Sequence, residues 1–594
     1  MDTSGSLLTS IRVVCRSHPR IYTLDHVLQK LDEFLFPSQK LTLPRCVQHC
    51  SARLFTRVLI SLDNDKTRCK FEKLQQYRLA MLAAAELGQL WVVQQLYRRH
   101  PAALNGATAL AAGQSGHLPL IQWVNETMCH LMTMNFYAAV YKAFKTSASR
   151  GDLPTVQWFV NNFSNVVFDI SIPAEEGQLE VTKWVLEQGR YRCRFDVADD
   201  VAERGDLEMM QFLVNHALVE GPSSAPDLAA EFGHLELVKW LIENESKHPW
   251  SFTTAAMDRS AGNGHLEVVR WLHENKKVGC TTNAMDLAAG SGHLDVLQWL
   301  HANRREGGTE KAMDNAAMTG HLEVVQWLHT NEVAGCTTAA MHFAACKNHL
   351  DVVRWLHETR DEGCTTLAMD WASKAGHLEM VKWLHDNRNE GCTDFATDQA
   401  AANGHLEVVK FLHANRSEGC TKFALNVAAG NGDLKMVKWL LAHRSEGIVS
   451  EAFYSAASNG HLDVVKFLRN SYAVECSTWI IDTAATNGHL EMVQWLYESC
   501  DEQCSPAAMA GAAKNCHVEV IKWLFNFCAL KCPTYVMMNA VATGNFEMLE
   551  FLKNSMQLDC RSVTTAGIVA VMDPQEEVIQ WLTENYPEGD NVPV

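Results

Sequence analysis

Apolar and polar positions alternate along this chain in a unit that returns every 28 residues. Leu266, Val269 and Leu272 recur three apart, with Val268 and Trp271 widening the stripe, which is the spacing of one broad helical face. Between them, Glu267 falls in the positive first turn and can pair with Arg270 three residues on. A second pattern follows. Thr281-Thr282 supplies N-cap side chains ahead of Ala284, Met285, Ala288 and Ala289, and Gly292 suits the left-handed conformation that ends a helix. Each unit therefore predicts two short helices. Neither is long enough to be stable alone, so the units must stack on one another.

The most regular block, Gly264-His265-Leu266-Glu267-Val268-Val269-Arg270-Trp271-Leu272-His273, returns at Gly292, Gly320, Gly376, Gly404, Gly460 and Gly488, and the 28-residue register holds to Gly544. Looser copies begin at Gly88, Gly116, Gly151, Gly177, Gly205 and Gly233, and a degenerate one ends in Trp581-Leu582, giving about 18 units in all. Ala288-Ala289-Gly290-Ser291-Gly292-His293-Leu294-Asp295-Val296-Leu297 resembles the centre of an ankyrin repeat. The resemblance covers roughly residues 80–585 and implies an all-α, elongated helical-repeat solenoid of stacked helix-turn-helix units. The ankyrin period is about 33, so each unit is about five residues short. The loss falls in the Glu362-Gly363-Cys364-Thr365 connection and its equivalents, where ankyrins place a β-hairpin finger. The Thr-Pro-Leu-His start is also missing, so strands are expected to be few or absent and finger-tip binding is not expected.

Residues 1–75 do not repeat. Leu24 to Leu35 and Cys46 to Leu62 predict helices, separated by Pro37 and Pro44, and the segment reads as a helical cap on the solenoid of residues 76–594 or as a docking segment. Composition narrows function more than fold. A net charge of −18 repels phosphate backbones and there is no basic stripe, so nucleic-acid binding is not expected. No apolar run approaches the ~18 residues of a membrane span, and Met1 to Arg16 lacks the form of a secretory signal. A cytoplasmic, monomeric protein is the reading, with the nucleus as an alternative compartment.

Four residue types recur from unit to unit with side chains capable of chemistry. The histidines after Gly (His265, His293, His321) and after Trp-Leu (His273, His301, His329) return once per unit. Stacked helices lie about 10 Å apart, whereas metal ligands must converge within about 2.3 Å of one ion, so structural hydrogen bonding is expected and no metal or cofactor. Cys280, Cys336, Cys364, Cys392, Cys420, Cys476, Cys504, Cys532 and Cys560 form another stripe. A disulfide needs Cα atoms about 4.4–6.8 Å apart, closer than neighbouring units stand, so these cysteines are expected free and buried. Trp271, Trp299, Trp327, Trp355 and Trp383 read as core. Asp258, Asp286, Asp314, Asp370 and Asp398 form a ladder of identical groups, without the asymmetry that catalysis requires. No catalytic residue is assigned and the protein is read as no enzyme.

Sequence variation is concentrated on one face of the first helix, at the equivalents of Asn283, Leu287 and Gly290. Through the middle of the chain this face holds Phe343, Leu367, Trp371, Phe395, Phe423 and Val427. The ankyrin resemblance places these side chains in a concave groove. If exposed, they make an apolar patch of the kind that concentrates binding energy. The expected function is a protein-interaction scaffold. An alternative is a substrate-selecting adaptor, for instance for a ubiquitin ligase, that recruits through residues 1–75.

Overall fold

A computed structural model describes residues 43–48, 52–64, 70–128, 134–163, 166–219, 223–245, 250–276, 279–500, 504–528 and 534–556, with Val578 and Trp581. Nearly all of this is helix, in two compact units, Met1–Cys280 and Thr281–Val594.

The second unit is the more regular. Its opening repeat pairs Asn283–Ser291 with Leu294–Asn303, and its last described repeat pairs Thr534–Thr543 with Phe546–Met556. On most first helices two adjacent alanines, such as Ala288 and Ala289, are buried where successive first helices pack together, because small side chains allow that approach. The second helices bury Val296, Leu297 and Leu300 and their equivalents, so the core is a continuous seam through the stack.

The turn between paired helices demands a left-handed residue, and Gly292 takes it at φ 82°. At Gly320 the requirement is double: φ is 82°, and a Cβ would lie 2.3 Å from Nδ1 of His349 in the next repeat. Asn348 and Cys516 hold the same position with φ of 65° and 62°, so the register survives where glycine is missing.

The first unit runs from Leu43–Gln48 and Ala52–Asn64 through helix pairs ending at Leu266–Asn275. The region expected to be helical from Cys46 to Leu62 is two helices, and Leu24 to Leu35 lies outside the described residues. Leu43–Gln48 packs on the first repeat helix, Lys70–Glu86; Phe55 meets Trp91 edge-on at 6.0 Å and Arg99 bonds Asp63 at 3.3 Å. Among the described residues the strands amount to one parallel pair, Phe168–Asp169 with Tyr191–Arg192, so the β-fingers of longer repeats are reduced almost to nothing.

Candidate functional site

A ladder of buried aspartates staples successive repeats together along much of the second unit. Asp370 accepts from the Thr393 amide at 2.8 Å and from its hydroxyl at 2.9 Å, and Thr393 Oγ1 accepts from the Phe395 amide at 3.3 Å. One carboxylate thus fixes the N-cap that starts the following first helix. The same bonds join Asp286 to Thr309, Asp314 to Thr337 and Asp398 to Thr421 in this unit, and Asp227 to Thr253 in the other. Burial raises the Asp370 and Asp398 carboxyls above their ordinary range, with the threonine bonds opposing it. In one repeat His342 replaces the aspartate. Its Nε2 accepts from the Thr365 amide at 2.8 Å, which requires the neutral ring, and burial pulls its pKa down.

The staples hold the variable face of the first helices in register. Leu367, Phe395 and Phe423 are 40%, 39% and 43% exposed, while Phe343, Trp371 and Val427 are half-buried. Phe343 and Trp371 are brought together, with rings stacked at 5.7 Å and 27°. None of the six is core. Trp479, 60% exposed, continues the register of Leu367, Phe395 and Phe423 two repeats further on and meets Tyr454 edge-on at 5.8 Å. That position was missed, although its spacing alone would have found it. The repeat between is polar there: Glu451 takes Lys422 at 3.0 Å and Asn426 at 2.7 Å, which lowers its pKa.

On the second helices the tryptophan stripe differs from expectation. Trp327, Trp355 and Trp383 are half-buried, because the core positions are taken by their neighbours Val325, Val353 and Val381. Each indole instead receives the edge of a histidine from the preceding repeat, His301 on Trp327 at 5.5 Å, His329 on Trp355 at 5.4 Å and His357 on Trp383 at 5.3 Å. An arginine follows several of the second helices and adds a further link. Arg360 pairs with Glu362 and reaches His329 Nδ1 at 3.2 Å; Arg388 pairs with Glu390 and reaches His357 Nδ1 at 3.3 Å. The other histidine stripe also bonds backward, His377 to the Cys346 carbonyl at 3.0 Å and His234 to that of Glu203 at 2.9 Å. Burial lowers the His377 pKa and, with His293 and His349 as neighbours, that of His321. Among the described residues no group of three His, Cys, Asp or Glu side chains could hold a metal ion.

The cysteine stripe needs a correction. Cys336, Cys364, Cys392 and Cys420 are free and buried, but Cys476 and Cys500 form a disulfide with Cα atoms 6.0 Å apart. The spacing argument compared cysteines in neighbouring repeats, whereas these two close a single repeat from its start to its end. In the first unit, Glu175, Asp200, Glu203, Arg204 and Phe232 line an open cleft of about 380 Å³. Arg194 bonds both Glu175 and Asp200 there, yet burial keeps both carboxyls raised, helped at Glu175 by Asp200 and Glu176 and at Asp200 by Asp196 and Asp199. Among the described residues no helix is long and apolar enough to cross a membrane.

A family model described as Ankyrin repeats (3 copies) matches residues 226–310, 313–394, 397–482 and 453–534, just over half of the chain. No curated protein matches in sequence. Among solved structures, the pentatricopeptide repeat protein PPR10 in complex with an 18-nt psaJ RNA element is 12% identical, with 93% of this chain and 98% of that chain covered and a TM-score of 0.31. PPR10 from maize is 12% identical over 98% of this chain and 95% of that one, with a TM-score of 0.27. Superposition this poor carries no argument about architecture or ligand.

Proposed function

Since the chain belongs to the ankyrin-repeat family, we propose that it is a non-catalytic binding scaffold whose first-helix face takes a protein partner. The observation that carries this reading is the apolar row on this face: Leu367, Phe395 and Phe423 exposed, beside the stacked Phe343 and Trp371. Large apolar side chains that stay in water on rigid helices lose little entropy when a partner covers them. A net charge of −18 favours a protein over a nucleic acid as that partner. We read residues 43–64 as a cap rather than a recruitment module, because Leu43 and Phe55 are spent on the repeats.

The test is affinity capture by the full chain, followed by titration of the captured protein against Trp371→Ala and Phe395→Ala. Each variant should bind about 30-fold more weakly, the factor matching a loss of ~2 kcal/mol. Melting should change little. Leu384→Ala, at a fully buried second-helix position, is the control and should cost about 2–5 kcal/mol of stability. Unchanged binding by both row variants would remove this face from the function.

A further inference from the structure

The cysteine stripe and the arginine–glutamate pairs are two halves of one contact inside each repeat. Cys336 interacts with Arg360, Cys364 with Arg388, Cys392 with Arg416 and Cys420 with Arg444, always 24 residues apart. The arginine pairs in turn with a glutamate two residues on, and at Arg360, Arg388 and Arg444 it also reaches a histidine of the preceding repeat. Further along the chain the arginine position holds cysteine instead, at Cys500 and Cys528. Cys500 is bonded to Cys476. Cys528 faces Cys504 across the same separation of 24 residues, with sulfurs 2.6 Å apart, well inside the approach of two non-bonded atoms.

We propose that Cys504 and Cys528 are a second disulfide-forming site, so that two consecutive repeats carry a covalent staple where the earlier ones carry an arginine–glutamate pair. The register supports it, because the neighbouring repeat closes its own bond between the equivalent positions. Geometry supports it as well, because the two sulfurs already meet. The exchange lacks the arginine bridge to the preceding repeat and substitutes a bond internal to the repeat. Oxidation therefore fastens each of these repeats on itself.

The reaction needs an oxidant, and a small-molecule disulfide such as oxidised glutathione suffices. Cys528 is the less buried of the two and attacks first, as thiolate. Its sulfur bonds to one glutathione sulfur while the glutathione disulfide breaks, releasing one glutathione thiol. The Cys504 thiolate then attacks the Cys528 sulfur and releases the second. The pair loses two electrons and two protons, and the two glutathiones take them up. Burial pushes both protein thiols up, which holds them neutral and slows the first attack until the repeat opens.

The experiment uses the full chain, equilibrated in glutathione buffers from fully reduced to fully oxidised, quenched by alkylation and mapped by peptide mass spectrometry. In the oxidised arm a Cys504–Cys528 cross-linked peptide should appear beside the Cys476–Cys500 one, so that four of the 19 cysteines resist alkylation. In the reduced arm all four should alkylate on denaturation. Cys528→Arg, which restores the residue of the earlier repeats, should lose only the Cys504 cross-link and keep Cys476–Cys500. The proposal is overturned if oxidised wild-type chain forms Cys476–Cys500 while Cys504 and Cys528 stay alkylatable or pair elsewhere. The wild-type map decides this even where a variant fails to fold.

Discussion

Removing one staple should weaken the stack by an amount that the structure fixes. In Asp370→Ala, the Thr393 amide and hydroxyl lose their shared acceptor. Hydrogen bonds to a charged group contribute about 1.5–3 kcal/mol each. Two corrections lower the total. Asp370 is 2% exposed and burial raises its carboxyl, so part of the bonds' worth is already consumed in desolvating the charge. Thr393 is exposed, so water can replace part of what it loses. A net loss of about 2 kcal/mol is expected. Because stacked repeats unfold as coupled units rather than as one two-state domain, the assay is native-state hydrogen exchange. The Thr393 and Phe395 amides, the two that this cap ties down, should exchange about 30-fold faster. Asp370→His is the discriminating variant, since His342 already performs this task one repeat earlier. It should restore protection at pH 8, where the ring is neutral and can accept, and lose it as the pH falls far enough to protonate the ring, which then carries only donors. If Asp370→Ala exchanges no faster than the exposed control Asp394→Ala, the ladder is not a staple.

Two further outcomes follow from the same geometry. His342 has its folded pKa lowered below the unfolded value of about 6.5, so its contribution is complete above that pH and is lost as pH falls through the window below it. His342→Asp should flatten the fall in stability between pH 7 and 5 by up to ~1.4 kcal/mol per pH unit, read from urea midpoints at each pH. Cys516→Gly should raise the stability of its repeat by about 1 kcal/mol, because a side chain at φ 62° costs about 1–2 kcal/mol and glycine returns part of that in chain entropy; an unchanged or lowered melting temperature would contradict this.

Much of the fold was legible because the chain writes one unit many times. Helix pairing, the glycine turn at Gly292 and the near-absence of strands all follow from the 28-residue register. What escaped was the identity of partners. Asp370 and Thr393 are 23 residues apart and belong to different repeats, so nothing local joins them. Periodicity marks both as recurrent, but only the packing shows a carboxylate beneath the next N-cap. The tryptophans misled for a related reason. A helical face of Val381, Trp383 and Leu384 is broader than the seam it must fill, and the smaller residues take the centre while the indole goes to the edge. The disulfide was missed because the stripe drew attention along the stack, while Cys500 stands outside it, in the place of an arginine.

The staples also bear on where a partner can be held. From Asp286 to Thr421 five successive junctions are closed, by four aspartates and His342. The next two junctions lack the acceptor: Asn426 stands opposite Val449, where the hydroxyl is lost as well, and Tyr454 opposite Ser477. A carboxylate at position 426 would be buried against a residue with no hydroxyl, and its desolvation would go unrepaid. Asn426 turns to Glu451 instead, and Tyr454 packs on Trp479. Closure resumes at Asp482 and Ser505. Phe343, Leu367, Trp371, Phe395 and Phe423 all sit on helices inside the closed run. Their backbones are fixed by the bonds that start each helix, so the ordering cost of presenting an apolar row is met in folding and not at binding. Rigidity and exposed apolar surface coincide on this stretch of the chain, and that coincidence is the physical ground for the proposal that a partner binds there.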